Sequence, residues 1–273
     1  AMSSTQVAAL TGAQLRALYQ PEGGVGTIFS PKVADYVASR PDYPAALFDA
    51  LREACGLHPG AVVADIGAGT GLLTQGLLAQ GYQVTAIEPS AAMRAAADQA
   101  LSRFSHYRSA GGSAEHIPLS DASVDLITAA QAFHWFDVDA ARAEFLRVLK
   151  PHGQVALVWN DRVLTDPLHT ALNALFAKYG GPKRDALLAH EDRGSVAAFF
   201  GATTPQQWSW PHAHQLDAGA LQSLVFSRSY MPDKGSPLGQ QACEDVREIF
   251  ERLAVNGVVA VRYTTVTMLG RPQ

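Results

Sequence analysis

The stretch "VVADIGAGTGLLTQG", Val62 to Gly76, decides the fold of this chain. It begins as an apolar run that contains Asp65, passes through three glycines separated by small residues, and continues with a helical pattern. Glycine adopts backbone conformations that a side chain hinders, so such a turn lets the backbone pass close to a ligand. A single glycine would fit an ordinary tight turn, whereas three at a strand end favour a binding loop.

Apolar runs alternate with helical patterns outward from this turn. "KVADYVASR" and "PAALFDALREA" predict helices upstream of it. Near-continuous apolar strands that alternate with helices are typical of a parallel sheet covered on both faces, so the sequence predicts an α/β fold. The predicted strands are "AVVADIG", "YQVTAIEP", "VDLITAAQ" and "QVALVWN", and the helices between them are "TGLLTQGLLAQG", "SAAMRAAADQALSRF" (with Ser90 as its N-cap) and "DAARAEFLRVLK".

The pattern loosens after Arg162. Helices are expected around Pro167 to Tyr179 and Arg184 to His190, followed by strands "SWPHAHQL" and "VVAVRYTTVTMLG" with helices "LQSLVFSRSY" and "QQACEDVREIFERLA" between them. An insertion here would cover a pocket at the carboxyl ends of the strands, where open α/β sheets bind ligands. We therefore predict an N-terminal lead with cap helices (1–45), a ligand-binding core (46–162), a helical insertion (163–205) and a C-terminal part that completes the sheet (206–273).

Composition narrows the class of protein. The 273 residues include 25 acidic and 21 basic ones, a balance that argues against a nucleic-acid partner. Cys55 and Cys243 are too few for a disulfide framework or a cysteine metal site. No apolar run approaches the roughly 18 residues of a membrane span, and no signal pattern opens the chain. We expect a cytoplasmic protein that binds neither membrane nor nucleic acid.

Two ligands compete for the glycine loop. The dinucleotide fingerprint needs its third glycine at position 72, counted from Gly67, but Leu72 stands there and the glycine is Gly71. Asp65 would repel a pyrophosphate and would suit an ammonium group, while Glu88 suits a pair of ribose hydroxyls. A ligand with a ribose, an amino group and no phosphate describes S-adenosylmethionine. A dinucleotide-binding oxidoreductase remains the alternative.

Four motifs now carry a family resemblance: "VVADIGAGTGLLT", "VTAIEPSAAM", "GGSAEHIPLSDASVDLITAAQAFHWF" and "LRVLKPHGQVALVW". Residues 36 to 160 resemble the class I S-adenosylmethionine-dependent methyltransferases, in particular the small-molecule branch called methyltransferase type 11. The resemblance implies a three-layer Rossmann-like sheet, mostly parallel with an antiparallel C-terminal strand. It also implies methyl transfer to an O, N or C atom of a small-molecule acceptor. A protein that binds the cofactor without transferring its methyl group is a further alternative.

The resemblance assigns roles to the residues of the loop and the strand ends. Asp65 would hold the methionine amino group, and Glu88 would accept both ribose hydroxyls. The methionine and ribose would lie against Gly67, Gly69 and Gly71.

Further cofactor contacts follow from the same resemblance. Pro89 or Met93 would pack near the adenine, and Gln131 would face the sulfonium. Relatives often carry an aspartate that binds the adenine amino group, but here Ser113 or a backbone group beside Ala114 takes that place. In the segment "RPDYP" and the helix before it, Arg40 would meet the methionine carboxylate and Tyr36 would cover the cofactor; a surface arginine before a helix break is the alternative.

The segment "QAFHWFD" supplies the candidate catalytic residue. His134 is the best general base, because the ordinary pKa of histidine lies near neutrality. The alternative is a structural histidine that fixes the loop. Trp135 is expected at the acceptor or over the adenine.

Candidate acceptor contacts come from two other segments. Asn160 and Arg162 lie at the end of the predicted strand "QVALVWN", where Arg162 could pair with a carboxylate substrate. Arg228 and Tyr230 lie in "FSRSYMP", which resembles a segment beside the acceptor pocket of relatives. Asp161 beside Asn160 raises the possibility of a magnesium site, but no third acidic ligand is evident, so no metal is expected.

Overall fold

The structure is a computed structural model that describes residues 35, 37, 39–190 and 193–273. Residues 1 to 34 of the predicted N-terminal lead and cap helices (1–45) lie outside the described residues. Tyr36, the expected cover of the cofactor, lies outside them too.

The described residues form one sheet of seven strands in the order β3-β2-β1-β4-β5-β7-β6. Strands β1 to β5 pair in parallel, and β7 runs antiparallel to both β5 and β6. This confirms the predicted sheet, mostly parallel with an antiparallel C-terminal strand. The strands are β1 (Val62–Ile66), β2 (Gln83–Ile87), β3 (Tyr107–Ala110), β4 (Val124–Ala130), β5 (Leu149–Arg162), β6 (Gln206–Leu216) and β7 (Val259–Gly270).

Helices cover both faces of this sheet. Successive residues of β1 and β4 point to opposite faces, as strand geometry requires, so that Val63 and Leu126 join one apolar layer while Ala64 and Ile127 join the other. The predicted N-cap is confirmed: the Ser90 hydroxyl accepts from the Met93 amide at 3.3 Å. The helices are α1 (Ala45–Cys55), α2 (Leu72–Ala79), α3 (Ala91–Leu101), α4 (Val138–Val148), α5 (Pro167–His190), α6 (Ser195–Phe200), α7 (Ala218–Phe226) and α8 (Pro237–Leu253).

A separate apolar cluster joins the helices after β5 to the last strands. Phe176 of α5, Val225 of α7 and Val246 of α8 are buried together against Val261 of β7. The helix α5 is interrupted at Gly181, where φ is 60° and ψ is −155°, a conformation that only glycine adopts readily. Residues 163–205, predicted as a helical insertion, contain α5 and α6, and α5 begins near the carboxyl end of β5.

The end of α7 differs from the expected helix "LQSLVFSRSY". The helix stops at Phe226, and the hydroxyl of Ser227 donates to the Leu224 carbonyl at 2.7 Å. Pro232 follows closely and cannot continue a helix. Arg228 and Tyr230 consequently lie in a turn and not on a helix face. No helix among the described residues is long and apolar enough to cross a membrane.

Candidate functional site

The glycine loop connects β1 to α2 in a conformation that requires glycine. The φ angles of Gly67, Gly69 and Gly71 are 65°, 59° and 87°, all in the left-handed region. A Cβ on Gly71 would lie 2.6 Å from Leu101 Cδ1, and one on Gly67 would lie 2.7 Å from Ala132 Cβ. The loop therefore combines unusual backbone angles with packing that leaves no room for a side chain.

Glu88 joins this loop to the start of α3. Its carboxylate is 8% exposed and accepts from the Gly69 amide at 2.9 Å and from the Ser90 amide at 2.7 Å. Burial raises the pKa of Glu88, while these two amides and Arg94 oppose the rise. Each carboxylate oxygen can accept more than one hydrogen bond, so the side chain keeps acceptor capacity for a ligand hydroxyl.

Asp65 lies deeper, at the end of β1. The side chain is 1% exposed, and its two oxygens accept from the hydroxyls of Thr74 at 2.7 Å and Thr128 at 2.9 Å. Burial raises the pKa of Asp65 to about 6, despite both hydroxyl donors. Within the described part of the chain, the groups that act on Asp65 are the two threonines and Glu88, so the pocket holds a carboxylate that an ammonium group would stabilise.

Gln131 occupies the end of β4 in a strained conformation. Its φ is 55°, which is rare for a residue other than glycine, and its Nε2 donates to the Asn160 carbonyl at 3.2 Å. Strain of this kind persists where the surroundings fix it, and it concentrates at functional sites.

Two adjoining cavities open at the carboxyl ends of these strands. A small one of about 30 Å³ lies against the glycine loop and is lined by Asp65, Gly67 and Gln131 among others. A larger one has a volume of about 490 Å³. It gathers eight of the predicted site residues: Arg40, Gln131, His134, Trp135, Asn160, Arg162, Arg228 and Tyr230.

Met93, Pro89, Ser113 and Ala114, which were also predicted to contact the cofactor, line neither cavity. Met93 is buried in the first turn of α3, whereas Pro89 is exposed. Ser113 forms an isolated backbone bridge with His116, with both hydrogen bonds at 3.2 Å, and Ala114 is buried next to it.

His134 and Trp135 follow β4 in a short 3-10 helix, Phe133–Trp135. Their rings lie 5.1 Å apart at an angle of 41°, and both side chains are half-buried in the cavity wall. Phe133 anchors the turn, because its ring packs edge-on against Trp159 and Phe199. The position of His134 suits a base and also suits a residue that fixes the loop.

Asn160 is held by the protein. It is 6% exposed, its Oδ1 accepts from the Thr265 hydroxyl at 2.5 Å, and its Nδ2 donates to the Asp42 carbonyl at 3.2 Å. It thereby ties β5 to β7 and to the segment before α1. A ligand at this position could use only the hydrogen-bonding capacity of Asn160 that these two contacts leave free.

Asp161 pairs with an arginine that sequence reasoning did not identify. Both Asp161 oxygens accept from Arg193, at 2.9 Å for one contact, and the guanidinium lies 4.2 Å above the Trp159 ring. The carboxylate is thus engaged by a side chain that lies 32 residues further on. The residues that the structure describes contain no group of three or more side chains that could hold a metal ion.

Other lining residues were also missed. Tyr43 and Leu72 line both cavities, and Tyr263 of β7 reaches the larger one. Tyr263 pairs in register with Arg162 of β5, so the antiparallel pairing of the last strand brings it to the site. Arg193 has no local sequence signal that predicts a role. Tyr43 lies inside "RPDYP", where a role was predicted for Arg40 and, just before the segment, for Tyr36.

Comparison with known proteins identifies the family. A methyltransferase domain family matches residues 64–157. An uncharacterized methyltransferase of Mycobacterium tuberculosis is 34% identical over 245 residues, which cover 87% of this chain and 93% of the relative. An uncharacterized methyltransferase of Schizosaccharomyces pombe is 36% identical over 207 residues, or 75% of this chain and 80% of the relative.

Solved structures show the same fold. A proposed type II methyltransferase from Anaeromyxobacter dehalogenans superposes with a TM-score of 0.55 at 23% identity, covering 85% of this chain and 97% of that one. A proposed methyltransferase from an antibiotic biosynthesis pathway of Anabaena variabilis gives 0.57 at 20% identity, with 85% and 98% covered. The relatives, together with this fold, show that the chain belongs to the class I S-adenosylmethionine-dependent methyltransferases.

Proposed function

We propose that this enzyme transfers the methyl group of S-adenosylmethionine to an O, N or C atom of a small-molecule acceptor in the larger cavity. The observation that carries the proposal is the connection between the two cavities, since Tyr43, Leu72 and Gln131 line both. A ligand held at the glycine loop would therefore present one end to a space of about 490 Å³, which is of the size that small-molecule sites have.

The polar groups around the loop fit the two ends of this cofactor. The Asp65 carboxylate lies in a buried pocket beside Gly67, where the methionine ammonium would supply the missing cation. Glu88 faces the loop from β2 and would accept the ribose hydroxyls with the lone pairs that the amides of Gly69 and Ser90 leave. Met93, at the start of α3, is then next to the adenine.

The bound cofactor supplies an activated methyl group: the acceptor's bond to the methyl carbon forms as the carbon–sulfur bond breaks, and that bond's electron pair stays on sulfur. The protein's task is to hold the acceptor in line, which can lower the barrier by roughly 7–11 kcal/mol. Gln131 lies at the junction of the two cavities, and His134 lies on the wall of the larger one. For a hydroxyl or NH acceptor, His134 would take up the released proton.

Segments outside the core would form the acceptor wall. Leu187 and Leu188 of α5 and Arg193 before α6 line the larger cavity, which supports a capping role for residues 163–205. Arg40 lines it from the N-terminal side and would meet the methionine carboxylate. Enclosure by helices on this side favours a small acceptor over a nucleic acid.

The test measures cofactor binding and turnover separately. Calorimetry of the full chain with S-adenosylhomocysteine is expected to give a micromolar-range dissociation constant, about −8 kcal/mol. Equal titrations with NADH should give no heat. Binding of NADH in place of S-adenosylhomocysteine would contradict the proposal, as would the absence of any acceptor-dependent release of S-adenosylhomocysteine across a broad small-molecule panel.

His134→Asn then separates its two roles. If His134 is the general base, the variant keeps its affinity for the cofactor and loses turnover. The loss is then largest at low pH, where the methyl acceptor is least ionised. A merely structural histidine would lower thermal stability and affinity together. His58→Asn, at an exposed position before β1, controls for the substitution.

A further inference from the structure

Two arginines converge on one buried ring at the far wall of the larger cavity. Arg162 ends β5 and Arg228 lies in the turn after α7, and their guanidinium carbons are 5.8 Å and 5.5 Å from the centre of the Phe176 ring. Phe176 is 1% exposed, so the ring offers a fixed apolar platform. The two like charges repel each other, and an anion bound between them would weaken that repulsion.

The neighbouring side chains sense this positive charge. Tyr263 is buried, and Arg228, Arg40 and Arg162 all act to lower the pKa of its hydroxyl, although burial dominates and raises it. The same two arginines, Arg162 and Arg228, help burial to lower the pKa of His169. The positive charge of Arg162 and Arg228 thus acts to lower the pKa of both Tyr263 and His169.

The described lining of the cavity is rich in arginine. It contains four arginines (Arg40, Arg162, Arg193 and Arg228) and a single acidic residue, Asp161. Asp161 is engaged on both oxygens by Arg193. The imidazole of His169 bonds the Arg262 carbonyl at 2.7 Å and adds no negative charge.

The Arg228 guanidinium also has a donor to spare. Its Nε is buried and has no hydrogen-bond partner within the part of the chain that the structure describes. A buried donor without a partner is costly, and a ligand oxygen would satisfy it. The planar guanidinium matches the two oxygens of a carboxylate or a phosphate better than any other side chain does.

We propose that the methyl acceptor carries an oxyanion, a carboxylate or a phosphate, that binds between Arg162 and Arg228 beside Tyr263. This rests on the proposed function, because the site is the acceptor end of the same cavity. The half-apolar surroundings, formed by Trp159 and the α5 leucines, would hold the carbon skeleton of the acceptor.

The test uses the full chain saturated with S-adenosylhomocysteine and measures binding of matched probes by calorimetry. The carboxylate probes are glutarate and benzoate, each compared with its neutral amide. The phosphate probe is phenyl phosphate, compared with phenol. At least one anion should bind about tenfold or more tightly than its neutral partner, the scale of one charged hydrogen bond. The carboxylate and phosphate arms identify which oxyanion the wall accepts.

Variants assign the effect to this wall. Arg228→Gln and Arg162→Gln should each weaken the preferred anion about tenfold or more, while the neutral partner is unaffected. Arg228→Lys should retain part of the affinity, because it keeps the charge and loses the planar fork. Arg247→Gln is the matched control, since Arg247 is exposed on α8 and pairs with Glu244.

Affinities that are equal for anions and neutral partners would overturn the inference, as would an Arg228→Gln variant that matches Arg247→Gln. Failure of the proposed function looks different, because S-adenosylhomocysteine itself would then fail to bind in the first titration. Cofactor affinity that persists in every variant, together with lost anion selectivity in Arg228→Gln and Arg162→Gln, is the result that we expect.

Discussion

Asp65→Asn should stabilise the protein without ligand and abolish its tight binding of the cofactor. The folded state keeps a proton on Asp65 up to a pKa of about 6, whereas the ordinary value is 3.8. The folded protein therefore binds more protons than the unfolded protein in this interval. The contribution of Asp65 to the free energy of unfolding falls as the pH rises from 3.8 to about 6. Near neutral pH the ionised carboxylate costs about 3 kcal/mol, a cost that asparagine avoids.

The pH dependence gives the prediction its sharpest form. Urea unfolding of the ligand-free protein should show that Asp65→Asn gains about 3 kcal/mol at pH 7.5 and about half of that at pH 5. The Thr74 and Thr128 hydroxyls can still meet an amide, because a hydroxyl donates or accepts. Asp49→Asn, at an exposed site of α1, should change stability by less than about 0.5 kcal/mol at both pH values.

Adding S-adenosylhomocysteine should reverse the order. The ammonium group stabilises the carboxylate of the parent protein, whereas the amide offers it no charge, so only the parent should gain stability from the ligand. An Asp65→Asn variant that is less stable by the same amount at pH 5 and pH 7.5 would refute the reasoning. It would mean that the two threonine hydroxyls already compensate the buried charge.

Three further substitutions test the loop and the cavity wall. Gly71→Ala should destabilise the fold by about 1–3 kcal/mol in urea unfolding, because its φ is 87° and its Cβ would lie 2.6 Å from Leu101. Glu88→Ala should cost about 1–3 kcal/mol of stability besides cofactor affinity, since it leaves two loop amides without their acceptor; equal losses in a Glu53→Ala control on exposed α1 surface would contradict this. Arg193→Gln should raise the KM of the acceptor and leave S-adenosylhomocysteine affinity unchanged by calorimetry, because Arg193 orders Asp161 at the acceptor side of the cavity; a change in cofactor affinity alone would contradict the assignment.

The core of the fold was predictable because its signals are local. The strands β1, β2, β4 and most of β5 are apolar runs, and the glycine turn marks the first crossover. The strand β3, Tyr107–Ala110, was not identified from the residue pattern, because three of its residues are half-buried, one is exposed, and they form no apolar run. The antiparallel β7 followed from the family resemblance, since periodicity alone does not give strand direction.

The site was predictable only where strand ends define it. Asp65, Glu88 and Gln131 each stand at the end of a strand, and parallel strands bring such ends to one edge of the sheet. The hydrogen bonds from Thr74 and Thr128 to the Asp65 carboxylate were not predictable, and neither were those from the Gly69 and Ser90 amides to Glu88. They depend on how the loop and the helices fold against these carboxylates. Chain order alone likewise gave no partner for Asp161 beyond a magnesium ion that was not expected, whereas the fold supplies a distant arginine.

The antiparallel pairing of β5 and β7 shows how such distant groups become part of the site. Its register sets Thr265 opposite Asn160 and Tyr263 opposite Arg162. The first pair closes a hydrogen bond that fixes the Asn160 side chain, and the second places a buried phenol beside the cationic wall. A slip of one residue would turn the Thr265 and Tyr263 side chains to the opposite face of the sheet and remove them from the cavity side. The last strand therefore does more than cover an edge, because its register determines which side chains line the larger cavity.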